Sequence, residues 1–114
     1  MQLTGTPGLQ SEIFTPTTPA PVWAPLGKPI NECNIRLASA CGVHLKKQEA
    51  FGKVGDFTHR QIPSTAQADE LMVTHGGYDN ADVNSDINCM FPLHRLNELK
   101  AAGVIKDVPE FHVG

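Results

Sequence analysis

Six of the nine prolines fall within the first 29 residues, at Pro7, Pro16, Pro19, Pro21, Pro25 and Pro29. Proline has no amide donor and pushes the residue before it away from helix. Residues 1–30 are therefore expected to be an extended arm, with Thr4, Thr6, Thr15, Thr17 and Thr18 interleaved. Its apolar points are Ile13, Phe14, Val22 and Trp23, and the single Trp is expected to anchor the arm to a hydrophobic surface. About 85 residues, 31–114, remain for one α/β domain, near the low end of what folds alone.

The rest of the composition mainly excludes. The net charge of -3 is small and no basic stripe is present, which argues against nucleic acid. No apolar run reaches the length of a membrane span. The N-terminus lacks a charged and then apolar leader, and the three cysteines, an odd number, read as thiols in a reducing compartment. A cytoplasmic protein is expected. No Cys-x-x-Cys pair occurs, so neither a thioredoxin-type couple nor a zinc knuckle is supported.

Three segments carry clear periodicity. Residues 34–40 alternate as a strand, with Cys41, Gly42 and His44 at its end. Residues 70–75 form a second strand, apolar at 71–73 and ending on His75. Between them, 51–65 reads as a glycine-punctuated loop with a short strand near 56–62 and one helical turn after Ser64. Residues 92–102 are the clearest helix. Pro92 suits its start, Leu93, Leu96 and Leu99 recur every three residues, and Gly103 suits a left-handed stop followed by Val104. Strand, loop, strand, loop, helix fits a small two- or three-layer α/β domain with a parallel sheet. Two strands make a poor sheet, so completion by a partner chain is expected.

Polar side chains crowd the connection between the second strand and the helix: His75, Asp79, Asp82, Asp86, Asn88, Cys89 and, on the first helical turn, His94 and Arg95. Such crowding is costly unless the groups are paired, and loops held by a scaffold are where chemistry concentrates. His75 precedes Gly76 and Gly77, which permit close ligand approach, and imidazole suits acid–base work. Cys41 has a small neighbour, and His44, Lys46 and Lys47 supply charge that favours a thiolate. These select Cys41, His75 and His44 as catalytic candidates. Asp79, Asp86, Asn88 and Arg95 are candidates for substrate binding, Arg95 by clamping a carboxylate or, alternatively, by pairing with Asp86 or Glu98. The Asp79, Asp82 and Asp86 spacing does not match a calcium loop, and no metal site is assigned.

With these residues in hand, the chain resembles the selenoprotein B family of glycine, sarcosine and betaine reductases, together with the selenoprotein subunit of D-proline reductase. The matching stretches are 14–16, 28–46, 55–63, 74–99 and 103–105, and the most specific is the pattern Asp86, Asn88, Phe91, Pro92, Arg95, Leu96. The resemblance implies an α/β fold and reductive cleavage of a C–N bond alpha to a carboxylate. It also implies a selenocysteine nucleophile and a pyruvoyl group on a companion subunit that holds the amine. The selenocysteine segment lies beyond the region matched, and this sequence contains none. The expectation is thus the family's N-terminal half, with a second subunit, a small-molecule substrate and no cofactor of its own.

Three readings follow. The first is a subunit of a reductase-like enzyme acting on a small amino acid or related amine. The second is a non-redox thiol-dependent lyase or isomerase on the same scaffold, with Cys41 as nucleophile and His44 or His75 as base. The third is a non-catalytic subunit whose arm and Trp23 wrap a partner.

Overall fold

The computed structural model describes residues 23–114. Residues 1–22 of the expected arm, including Ile13, Phe14 and Val22, lie outside them. Trp23 is described and is 83% exposed, so its ring packs into no pocket among the described residues. The regular elements are short. In chain order they are β1 (Val43–Leu45), β2 (Gln61–Pro63), β3 (Leu71–Val73), α1 (Ala81–Ser85), α2 (Leu93–Ala101) and β4 (Phe111–Val113). Single 3-10 turns occupy Ile30–Glu32, Ala68–Glu70 and Ile87–Cys89.

The expected parallel sheet is not what forms. The strands make two antiparallel pairs, β1 with β3 and β2 with β4. Val43 opposes Val73 and Leu45 opposes Leu71, while Ile62 opposes His112. A parallel sheet needs crossovers of a dozen or more residues, usually helical. The 45–71 connection is long enough, but Gly52, Gly55 and Pro63 leave it without an α-helix to cover the sheet. Among the described residues, parallel pairing survives only as bridges, Asn34 with Asp107 and Ala38 with Val113. Through these, the expected strand 34–40 lies extended beside the C-terminal segment. Ile35 and Ser39 donate to Asp107 and Val113, and Val113 donates back to Leu37. The regular pairing begins three residues later, at β1.

The strand expected at 70–75 is β3, and its burial alternates: Leu71 and Val73 are buried and Met72 faces outward. The short strand near 56–62 appears only at its end, as β2. The turn expected after Ser64 forms at Ala68–Glu70, where Gln67 and Glu70 cap one another reciprocally.

Helix α2 ends as expected. Gly103 has φ +73°, its amide donates to Lys100, and the Val104 amide donates to Leu99, which is the Schellman pattern. The leucine stripe holds for two members only: Leu93 and Leu96 are buried and Leu99 is 41% exposed. With 3.6 residues per turn, a strict three-residue spacing rotates away from the core, and the third member leaves the face.

The core gathers Val43, Ile62, Val73, Phe91 and Leu93 around β1, β3 and the start of α2, with Cys41, Val83 and Ile87 beside them. The fully buried His112 joins it edge-on to Phe91, with centroids 6.1 Å apart. Its Nδ1 accepts the Leu37 amide at 3.0 Å and its Nε2 meets the Ser64 hydroxyl at 3.1 Å. The Ser64 hydroxyl in turn donates to the Pro109 carbonyl. This imidazole therefore ties the 33–39 segment, β2 and β4 together. Among the described residues, no helix is long and apolar enough to cross a membrane.

Candidate functional site

A cleft of about 900 Å³ opens between four pieces of chain: residues 38–42 before β1, the 51–59 loop, residues 74–77 after β3, and the end of β4 at Val113 and Gly114. Two of its edges are closed by backbone contacts. At Gly42, φ is +83° and the Thr74 carbonyl occupies the space a Cβ would need, so β1 and β3 close against each other at the cleft edge. At Gly76, the Lys53 carbonyl does the same, which seats the 51–59 loop on the end of β3.

That loop is organised by Asp56. Its Oδ1 accepts from the Thr58 amide at 2.8 Å and the Thr58 hydroxyl at 2.5 Å, and its Oδ2 accepts from the Gly52 amide at 2.8 Å. The Thr58 hydroxyl and then the two amides hold the carboxyl down at about 2. Arg60 braces the base of the loop: its guanidinium lies 4.4 Å from the Phe51 ring centre and donates to the carbonyls of Glu49 and His59. Val54 and Phe57, at the tip, are 95% and 99% exposed.

Of the residues singled out in sequence, His75 lines the cleft. Its Nδ1 accepts the Gly77 amide at 2.9 Å, and its ring stacks on Tyr78 with centroids 4.7 Å apart. Cys41 sits one residue from the wall formed by Ala40 and Gly42, but it is 5% exposed and belongs to the core. Tyr78 links the two, because its hydroxyl donates to the Cys41 carbonyl at 2.7 Å. Burial first, and then the Cys41 and Cys89 thiols, push the Tyr78 phenol up, which keeps it a donor.

His44 is 2% exposed. Its Nδ1 faces the Leu45 carbonyl at 2.8 Å and its Nε2 the Thr74 hydroxyl at 2.9 Å, so both nitrogens are occupied within the fold. Four further candidates lie away from the cleft lining. Asp79 accepts the Ala81 amide at the start of α1. Asp86 accepts both the Asn88 amide and its side chain, the backbone bond being the stronger cause holding its carboxyl down. Asn88 in turn accepts the His94 amide, which caps the start of α2 that Pro92 cannot cap. Arg95 pairs with Glu98 at 2.7 Å on the exposed face of α2. Among the described residues, no three His, Cys, Asp or Glu side chains converge as metal ligands.

Lys53, Asp56, Thr58 and His59 reach the cleft without having been singled out. Gly52 and Gly55 mark a turn, and an Asp two residues before a Thr is an Asx-type turn signal. That signal locates the loop but not what it faces.

No known family profile matches the chain, and no solved structure does. One curated protein matches nearly all of it, the D-proline reductase subunit gamma of Acetoanaerobium sticklandii. The chain is similar to a D-proline reductase subunit. The two are 47% identical over 112 residues, which is 98% of this chain and 46% of that protein. The chain thus spans less than half the length of this relative.

Proposed function

We propose that this chain contributes to a cytoplasmic amino-acid reductase that cleaves a C–N bond of a small amino acid such as D-proline, and that it works with a second polypeptide. The observation that carries this is the 47% identity over nearly the whole chain to a D-proline reductase subunit. The cleft is compatible with it. Lys53 and His75 can hydrogen-bond a carboxylate, and a cleft of about 900 Å³ leaves room for a compact substrate.

The cleft lining contains no thiol. The redox nucleophile and the carbonyl group that holds the amine are therefore assigned to a partner polypeptide, where selenocysteine and pyruvoyl chemistry would reside. This chain supplies hydrogen bonds, shape and exclusion of water. Cys41 joins the chemistry only if its thiol reaches past Gly42. Asp79, Asp86 and Asn88 then act by holding α1 and α2 in place, and Arg95 takes a carboxylate only if it leaves Glu98.

Turnover of D-proline by the complex purified from its own source tests this. His75→Ala is expected to lower kcat/KM by about 100-fold or more with the complex intact. Unchanged turnover in both His75→Ala and Cys41→Ala removes the catalytic reading. Mass spectrometry of the same preparation is expected to find a second chain bearing a carbonyl group or selenium.

The exposed Val54, Phe57 and Trp23 favour a second reading, a non-catalytic subunit that binds its partner through apolar points. In that case Phe57→Ser or Trp23→Ala releases the partner, while His75→Ala leaves turnover unchanged.

A further inference from the structure

We propose that the Gly77 amide fixes His75 as its Nε2–H tautomer, so that the ring presents the cleft with a hydrogen-bond donor for a ligand oxygen, carboxylate or carbonyl, instead of a base. This rests on the reading of the cleft as the ligand site.

A neutral imidazole has one nitrogen that donates and one that accepts. A backbone amide can only donate, and the Gly77 amide points at Nδ1 from 2.9 Å. Nδ1 must therefore hold the lone pair, and the proton of the neutral ring sits on Nε2. The surroundings make this arrangement rigid. Tyr78 stacks on the ring with 27° between planes. Asn80 grips the backbone of His75 at both ends, its Oδ1 accepting the His75 amide at 2.8 Å and its Nδ2 donating to the His75 carbonyl at 3.1 Å. The same Nδ2 donates to the Tyr78 carbonyl at 2.7 Å, which couples the two stacked residues. Residue 77 has to be glycine for the amide to come this close, since a Cβ there would lie 2.8 Å from His75 Cε1.

His44, whose ring meets Thr74 beside His75, shows the opposite arrangement. Its Nδ1 faces a carbonyl and must donate, leaving Nε2 to accept the Thr74 hydroxyl, and nothing is left for a ligand. In His75, Nε2 has no hydrogen-bond partner among the described residues, and the residue lines the cleft. A general base would need its lone pair at Nε2, which means giving up the Gly77 bond. A donor needs no rearrangement, and a donor already aimed at an acceptor oxygen costs nothing to reorganise on binding.

The test is nitrogen-15 NMR of the imidazoles in the full chain at about pH 8, above the ordinary imidazole range. His75 Nδ1 is expected at the unprotonated position and Nε2 at the protonated one, with His44 reversed. The Nδ1–H tautomer, or an even mixture, for His75 overturns the proposal. Gly77→Ala keeps the amide but crowds the ring, and is expected to mix the tautomers; an unmixed Nε2–H ring in that variant also overturns the lock. Acetate and D-proline are then titrated into the wild-type chain. A shift of the His75 Nε2 signal with either supports the donor role. Movement of other cleft signals while Nε2 stays fixed overturns the donor role and leaves the cleft reading standing. No movement of any cleft signal fails the cleft reading and the donor role with it, while the tautomer measurement still judges the lock.

Discussion

The side-chain amide of Asn84 pairs with the backbone of Val73 at both ends, Oδ1 accepting the Val73 amide at 2.7 Å and Nδ2 donating to its carbonyl at 3.1 Å. Asn80, one turn earlier, does the same to His75. Residues 73 and 75 point their polar groups away from β1, so two asparagines of the α1 region stand in for a missing strand along the free edge of β3. An edge left unpaired and buried would be costly, and would also invite another chain. Asn84→Asp puts an acceptor against the Val73 carbonyl. It is expected to cost about 1–3 kcal/mol, read as a lower midpoint in urea unfolding with an unchanged slope.

The Tyr78 hydroxyl is the tie between the His75 loop and the Cys41 carbonyl. Tyr78→Phe keeps the ring that stacks on His75 and removes only the donor. The expected loss is about 1 kcal/mol, a fall of about 4–8 °C in Tm for a domain of this size. An unchanged Tm would show that solvent replaces this bond.

Two glycines separate backbone strain from crowding. Gly103 has φ +73° with open space around it, and Gly42 has φ +83° with the Thr74 carbonyl in the way. Gly103→Ala is expected to cost about 1–2 kcal/mol, the left-handed penalty alone. Gly42→Ala adds overpacking and is expected to cost about 1–3 kcal/mol more. Equal losses in thermal unfolding would mean that β1 and β3 part easily at the cleft edge.

Burial, and secondarily Arg36, lowers the pKa of His112 from its ordinary value of 6.5. Protonation would also destroy the acceptor for the Leu37 amide. As pH falls through the unfolded value, the unfolded chain takes up a proton that the folded chain refuses. Stability is therefore full above about 6.5 and declines below it until the folded pKa is passed. His112→Gln is expected to flatten this slope in urea unfolding measured from neutral pH downward.

The carboxyl of Asp56 is held at about 2 chiefly by the Thr58 hydroxyl. Thr58→Ala removes that bond and leaves the two amides. Carbon-13 NMR of the Asp56 carboxyl is expected to show its titration moving up toward the ordinary 3.8. The lowered value means this contribution to stability is present above 3.8 and is lost as pH falls toward 2.

The features legible in sequence were those governed by neighbours along the chain. Helix α2, with its glycine stop and Schellman bonds, follows from local propensity and capping, and β3 follows from the apolar run Leu71, Met72 and Val73. The sheet pairing was not legible, because periodicity shows that a segment is extended but not which segment it lies beside. Residues 34–40 are the example: they alternate like a strand, yet they meet the C-terminal segment through bridges while β1 and β3 pair antiparallel.

The candidate site divides in the same way. Composition alone marked the 75–95 block as crowded with polar groups, and most of these prove to be spent on caps and turns, as Asp79, Asp86 and Asn88 show. Only the tertiary structure brought His75, Asp56 and Lys53 to one cleft, and only it placed Cys41 behind the wall instead of on it. The reason is that capping and turn bonds act over a few residues and leave a mark in the sequence, whereas the cleft is formed by four separate segments that run from residue 38 to residue 114, whose meeting is decided by how the core packs.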